Sequence, residues 1–176
     1  EIAGNRFLKA AVQFGDTALK YGRDRYSGKG MPLFANVLHT DHMRAPRSMT
    51  SLKSGTEPEP TIQSYYQNQQ NLMRLLAALS QFTGESKYIH AAGDAADYMF
   101  SHYWYPGCGV FHWGGHGYID LVTANTYGMK GVVHEIEDVY PYYEFLMAVN
   151  PERAEKLIKG IWEANIQDWD SLHYNR

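Results

Sequence analysis

The chain has 176 residues, of which 44% are hydrophobic, 20% charged and 14% aromatic. That is enough apolar material for one packed core and excludes a disordered or collagen-like chain. Sixteen Lys and Arg against nineteen Asp and Glu leave a formal charge of −3, and without a basic block to act as an electrostatic footprint no nucleic-acid partner is expected.

No apolar run approaches the ~20 residues that span a bilayer, so no membrane partner is expected either. The start, Glu1-Ile2-Ala3-Gly4-Asn5-Arg6, lacks the layout of a signal peptide, although a cleaved signal leaves no trace. The single cysteine, Cys108, excludes an internal disulfide and a Cys-rich zinc site, and has no base beside it in sequence to make it a nucleophile. Fourteen Tyr, four Trp and seven Phe suit clefts that stack on sugar rings, and suit packing between helices equally well.

Phe7, Ala11, Phe14, Ala18 and Tyr21 recur at the helical period with Leu8, Val12 and Leu19 beside them, which predicts a helix over about 3–22. From Tyr26 to Pro60 the periodicity is lost, and Gly28, Gly30, Pro32, Pro46, Gly55, Pro58 and Pro60 break any regular element. An irregular stretch of that length is usually functional or disordered. Its Pro32 to Leu38 part is apolar enough to pack, whereas the part through Ser54-Gly55-Thr56-Glu57 is expected to be mobile. Within it, His39-Thr40-Asp41-His42-Met43-Arg44 with Arg47 could bind an acidic substrate through its arginines, or be a plain solvated loop.

The polar run Ser64 to Asn71 opens a second helix, with amides and phenols fit either for sugar hydroxyls or for capping. Leu72, Leu75, Leu76 and Leu79, the turn Thr83-Gly84-Glu85-Ser86, then Tyr88, Ala91, Ala92, Ala95, Tyr98 and Met99 predict an αα-hairpin. Pro106 to Val133 is glycine-rich, and its β-like runs Val110 to Trp113 and Tyr118 to Val122 predict a small hairpin or extended loop. A second helical hairpin follows: Tyr142, Phe145, Leu146 and Val149, the cap Asn150-Pro151-Glu152, then Ala154, Leu157, Ile158, Ile161 and Trp162. Two hairpins of one design predict an all-α toroid or solenoid with a small β-like loop insertion. About five helices are roughly half of what a closed (α/α) barrel needs. Residues 1–176 are therefore expected to form one toroid segment, incomplete by itself, of a longer catalytic domain.

His112-Trp113-Gly114-Gly115-His116 and His134-Glu135-Ile136-Glu137-Asp138 bring imidazoles and carboxylates from neighbouring loops, a donor set suited to a divalent metal. The plainer reading of any one of these histidines is a hydrogen-bonded loop imidazole. A second polar cluster, Asp168 to Arg176, reads as a loop of acids, an imidazole and a guanidinium, or as a solvated tail.

Gln69 to Arg74, Thr83-Gly84-Glu85, Trp113-Gly114-Gly115-His116, His134-Glu135, Tyr140-Pro141-Tyr142-Tyr143-Glu144 and Asp168-Trp169 through Asn175-Arg176, in that order, give the chain a resemblance to bacterial pectate-lyase-like proteins of (α/α) toroid fold. It is similar to polysaccharide lyase family 2 from about Tyr21 onward. In that family a divalent cation is held by two histidines and a glutamate, and an arginine directly before the second histidine abstracts the proton. The resemblance implies His116 and Glu135 as ligands to Mn or Ca, and Arg176 as the base. The second histidine would follow Arg176 directly, where this chain stops, so the site as given is expected to be one ligand short. Trp113, Tyr118, Tyr142 and Tyr143 would face the sugar, and Arg44, Arg47 or Lys130 would pair with carboxylates of an acidic polysaccharide or oligosaccharide. A periplasmic or secreted protein is favoured, with a cytoplasmic one left open.

Two other readings remain at this stage. A glycoside hydrolase or sugar epimerase on the same toroid would use a metal-free carboxylate pair drawn from Glu135, Glu137, Asp138 and Asp168. A helical-repeat binding module would use none of these residues for chemistry.

Overall fold

A computed structural model describes residues 4–50, 59–105, 110–111, 117–127 and 139–174. Among the described residues, five α-helices carry the fold. The first, α1 (Arg6–Thr17), is capped by Asn5, whose side chain accepts from the backbone N–H groups of Phe7 and Leu8, and runs on into a π-helical turn over Ala18–Gly22. Its packed face is the expected one in part, with the two phenylalanines turned outward. Phe7 and Phe14 are 73% and 58% exposed, while Leu8, Ala11, Val12 and Leu19 face the core and Gly15 and Ala18 are buried. The close crossing at Gly15 sets this rotation: a methyl there would overlap Leu79 Cδ1 and stand 3.2 Å from the Tyr88 ring.

The expected αα-hairpin is α2 (Gln70–Thr83) and α3 (Lys87–His102). Gly84, at φ +76°, ends α2 in the left-handed conformation that glycine adopts without steric cost, its N–H reaching the Ser80 carbonyl. The Ser80 hydroxyl then donates to the Glu85 carbonyl and accepts from the Ile89 N–H, locking the turn. The α2 stripe centres on Met73, Leu76 and Leu79, with Leu72 and Leu75 at its margin, and meets Tyr88, Ala91, Ala92, Ala95 and Met99 of α3. The short side chains along α3 let the two helices approach closely.

The second hairpin is α4 (Tyr143–Val149) and α5 (Pro151–Asn165). Asn150 caps α5 by accepting from the Arg153 N–H, with Pro151 at the first helical position, as the sequence predicts. Arg153 ties α5 to the end of α3 through the Phe100 carbonyl, 2.9 Å away, and lies over the Trp104 ring.

The irregular stretch divides in two. Leu33 and Phe34 are buried in the core, as expected, with Met31 beside them, whereas Val37 is exposed. The part through Ser54 to Glu57 lies outside the described residues, but its flanks pair as β1 (Ser48–Thr50) and β2 (Glu59–Thr61). In place of the small hairpin or extended loop expected after Pro106 there are two separate pairings among the described residues. One joins β4 (Trp104–Tyr105) to β5 (Val110–Phe111). In the other, β6 (Tyr118–Asp120) is the middle strand between β3 (Gln63–Ser64) and β7 (Thr126–Tyr127), antiparallel to both. The terminal cluster, expected as a loop, is a bulged hairpin of β8 (Ile166–Asp168) and β9 (His173–Tyr174). These strands are two or three residues long, too short for periodicity to announce them. The architecture is thus helical hairpins with small antiparallel sheets among the described residues.

Candidate active site

The three-stranded sheet organises the site. Its register sets Tyr118 opposite Tyr127, and Ile119 opposite Ser64 with Tyr65 next along the chain. Three tyrosines therefore gather at one end of the sheet. Tyr118, with 0% exposure, stands between the other two: its ring stacks on Tyr127 at 5.4 Å and 9° and tilts against Tyr65 at 5.2 Å and 40°. Its hydroxyl lies 3.3 Å from Thr61 Oγ1. Tyr65 and Tyr127 are half-buried. Gly117, which follows His116 directly, is at this same end, and the chain leaves it after Tyr127 on the way to Lys130 and Glu135.

The other end of the sheet is pinned by Asp120, 1% exposed, whose carboxylate accepts from the backbone N–H groups of Ile62, Val122 and Thr123 and from the Thr123 hydroxyl. Four donors offset the desolvation of a buried carboxylate and fix β3 against β6.

The two motifs Gln69 to Arg74 and Tyr140 to Glu144 meet as one unit. Gln70 Oε1 accepts from the Tyr142 N–H at 2.9 Å, and Arg74 donates to the carbonyls of Tyr140 and Pro141 at 2.7 and 3.0 Å. The Arg74 guanidinium lies 5.2 Å from the Tyr142 ring centre, and that ring stacks on Phe145. Tyr143 packs edge-on to Tyr140, and burial pushes its phenol above the ordinary value, with Tyr140 adding to the shift. Gln69 and Gln70 of the polar run thus serve packing. Gln69 Nε2 holds the Phe34 carbonyl and Asn36, and Gln70 Nε2 the Tyr66 carbonyl.

Arg44 and Arg47 are exposed, on the segment where His39 and His42 lie with ring centres 4.6 Å apart. Met43 sits at φ +52° and the Ala45 N–H is held by the Tyr26 hydroxyl, so this segment has a defined path. Asp168 is exposed and occupied by its turn: the Ser171 hydroxyl, then the N–H groups of Asp170 and Ser171, hold its carboxyl below the usual carboxylate range. A general acid needs the opposite shift. Trp113, His116, Lys130, Glu135, Glu137, Asp138 and Arg176 lie outside the described residues.

Among the described residues no three His, Cys, Asp or Glu side chains converge to hold a metal ion. The chemistry of the expected donors, one imidazole and one carboxylate, fits a divalent cation such as Mn or Ca. No helix among the described residues is long and apolar enough to cross a membrane.

The chain belongs to the family described as periplasmic pectate lyase, whose sequence profile matches residues 32–176. The match takes in the three-tyrosine sheet end, the Gln70 and Arg74 clamp and every expected site residue, and leaves out α1. Its description agrees with the compartment favoured above. The chain is also similar to the pectate disaccharide-lyase of Dickeya dadantii (strain 3937), 40% identical over 115 residues. That alignment covers 64% of this chain and 21% of the relative, so the chain spans about a fifth of the relative's length.

Proposed function

We propose that the chain is part of an (α/α) toroid that cleaves an acidic, pectate-like polysaccharide or oligosaccharide by β-elimination, assisted by a divalent cation, Mn or Ca. Besides membership of the family, one observation carries the reading: the sheet register gathers the residue after His116, the start of the segment leading to Lys130 and Glu135, and the tyrosines at one end. A lyase site needs this gathering, because metal donors and sugar-facing groups must meet on one substrate ring.

In the reaction, the proton at C5 of a uronate residue leaves to a base, the C4–O bond breaks as the C4–C5 double bond forms, and the departing oxygen takes up a proton. His116 and Glu135 would hold the cation. A bound divalent cation neutralises the uronate carboxylate and so acidifies the C5 proton. Arg176 would take that proton. A free guanidinium, with a pKa above about 12, is a poor base; nearby positive charge and burial make its neutral form accessible. Arg44, Arg47 or Lys130 would pair with carboxylates of neighbouring sugar units, and Trp113, Tyr142 and Tyr143 form the aromatic set proposed for the sugar; Tyr118, also expected to face the sugar, is fully buried and supports the sheet end instead.

The test is His116→Ala and Glu135→Ala in a chain that continues past Arg176. Each is expected to weaken Mn²⁺ binding by calorimetry at least tenfold and to lower elimination by on the order of a hundredfold, with unchanged melting. Wild-type metal affinity in both variants contradicts the assignment.

A further inference from the structure

We propose that Ile158 and Trp162 of α5, with Trp169 and Leu172 of the β8–β9 hairpin, form the seat of a further helical hairpin of the full-length protein, one that lies outside residues 1–176. The inference deepens the reading above that the chain is part of an (α/α) toroid, and assigns an interface to residues that the proposed chemistry does not use.

α5 is apolar over more of its circumference than the core needs. Ala154 and Leu157 are buried, and Ile161 packs against the core beside them. Ile158 and Trp162, one turn apart, continue the apolar sector around the helix and are exposed, whereas the Glu152–Lys156 and Glu155–Lys159 ion pairs mark the solvated side. The Trp162 and Trp169 rings meet edge to face, 6.0 Å apart and at 61°, and each indole is 53% exposed. Leu172, also exposed, stands in the same turn as Trp169. That turn is fixed in advance: the Asp168 carboxylate accepts from Asp170 and Ser171, and Asp168 lies opposite His173 across the hairpin.

The place of the patch in the fold points to its occupant. Each α-helix packs on the next in chain order, so α1 and α5 are the two ends of the described array. Both ends expose large aromatic side chains, Phe7 and Phe14 on α1 and Trp162 on α5, and α3 between them exposes none. The outermost repeat of a helical array carries a polar outer face, and α5 instead presents Ile158 and Trp162, as an inner repeat does. A protein as long as the Dickeya relative, of which this chain spans about a fifth, has the chain to supply another hairpin. Charge argues against the substrate as the occupant. Glu163 follows Trp162, and Asp168 and Asp170 flank Trp169, all exposed, so a polyuronate would meet three carboxylates around the indoles. The apolar face of a helix meets no such repulsion. Covering the patch would also steady the strand that leads to the proposed base, since β9 ends two residues before Arg176.

Hydroxyl-radical footprinting of the full-length protein, native and in urea, provides the test, read at Trp162 and Trp169 by mass spectrometry. An interface core excludes water, so each indole is expected to be labelled at least about tenfold more slowly in the native protein, against about twofold for a side chain left half exposed. p-Benzoylphenylalanine in place of Leu172 is expected to cross-link, within one chain, to a segment outside residues 1–176 whose apolar residues recur at the helical period. Protection of only about twofold, a cross-link back into residues 1–176, a dimer-sized product, or protection that appears only with oligogalacturonate would each overturn the proposal, the last two in favour of a second copy and of the sugar. An elimination assay run alongside keeps the two readings apart. Freely labelled indoles in an active enzyme remove the interface and leave the lyase; protected indoles with the expected cross-link, in a protein that does not eliminate, leave the interface and remove the lyase.

Discussion

Three aspartates build loops by the same device. Asp24, Asp120 and Asp168 each take the hydroxyl of a Ser or Thr three residues on, together with backbone N–H groups of the turn between. The spacing Asp-x-x-Ser/Thr was there to be read in Asp24 to Ser27, Asp120 to Thr123 and Asp168 to Ser171. Such side chains offer the backbone a local alternative to helix or strand. Asp24 and Asp120 each add a fourth donor from beyond the turn, the Met31 N–H and the Ile62 N–H just before β3, contacts no local pattern announces, and of the three only Asp120 is buried. Asp120→Ala leaves these donors without their acceptor and should cost about 3 kcal/mol in urea unfolding. Asp120→Asn, which keeps an acceptor oxygen, should cost less. A loss below about 0.5 kcal/mol for the alanine variant would mean the sheet does not depend on the carboxylate.

Among the elements, hairpin grammar was the legible part. The turn through Gly84 and the cap at Asn150 and Pro151 follow from residues whose preferences are local. Which face of α1 packs was legible only in part. Phe7 and Phe14 outweigh their neighbours in hydrophobicity, yet Gly15 admits Leu79 and Tyr88 so closely that the helix turns its phenylalanines outward. Contact between distant helices decided what periodicity could not. Gly15→Ala should therefore destabilise the protein, by about 1–3 kcal/mol, despite the higher helix propensity of alanine. A rise in the thermal midpoint would show that propensity wins and that the crossing has room to adjust. The two motifs Gln69 to Arg74 and Tyr140 to Glu144 were visible only as separate runs. Their union through Gln70 and Arg74 spans 66 to 72 positions of sequence.

At the scale of the molecule, the class of fold and the family were readable because short motifs held their order along the chain, and the family profile matches residues 32–176. The site was legible as a set of residue types and not as a place. His116 and Glu135 suit a metal by their chemistry alone, whereas the sheet end that brings Gly117, next to His116, together with Tyr65, Tyr118 and Tyr127 arises from strand pairings of two or three residues. The central claim is that this end of the sheet serves metal-assisted β-elimination on a uronate polymer. It is tested most directly by following the absorbance of unsaturated uronate during incubation with polygalacturonate, using a chain that continues past Arg176, with and without EDTA. The account predicts a rise that EDTA abolishes and that Mn²⁺ or Ca²⁺ restores; chain cleavage that leaves saturated ends, or a rise indifferent to chelation, would contradict it.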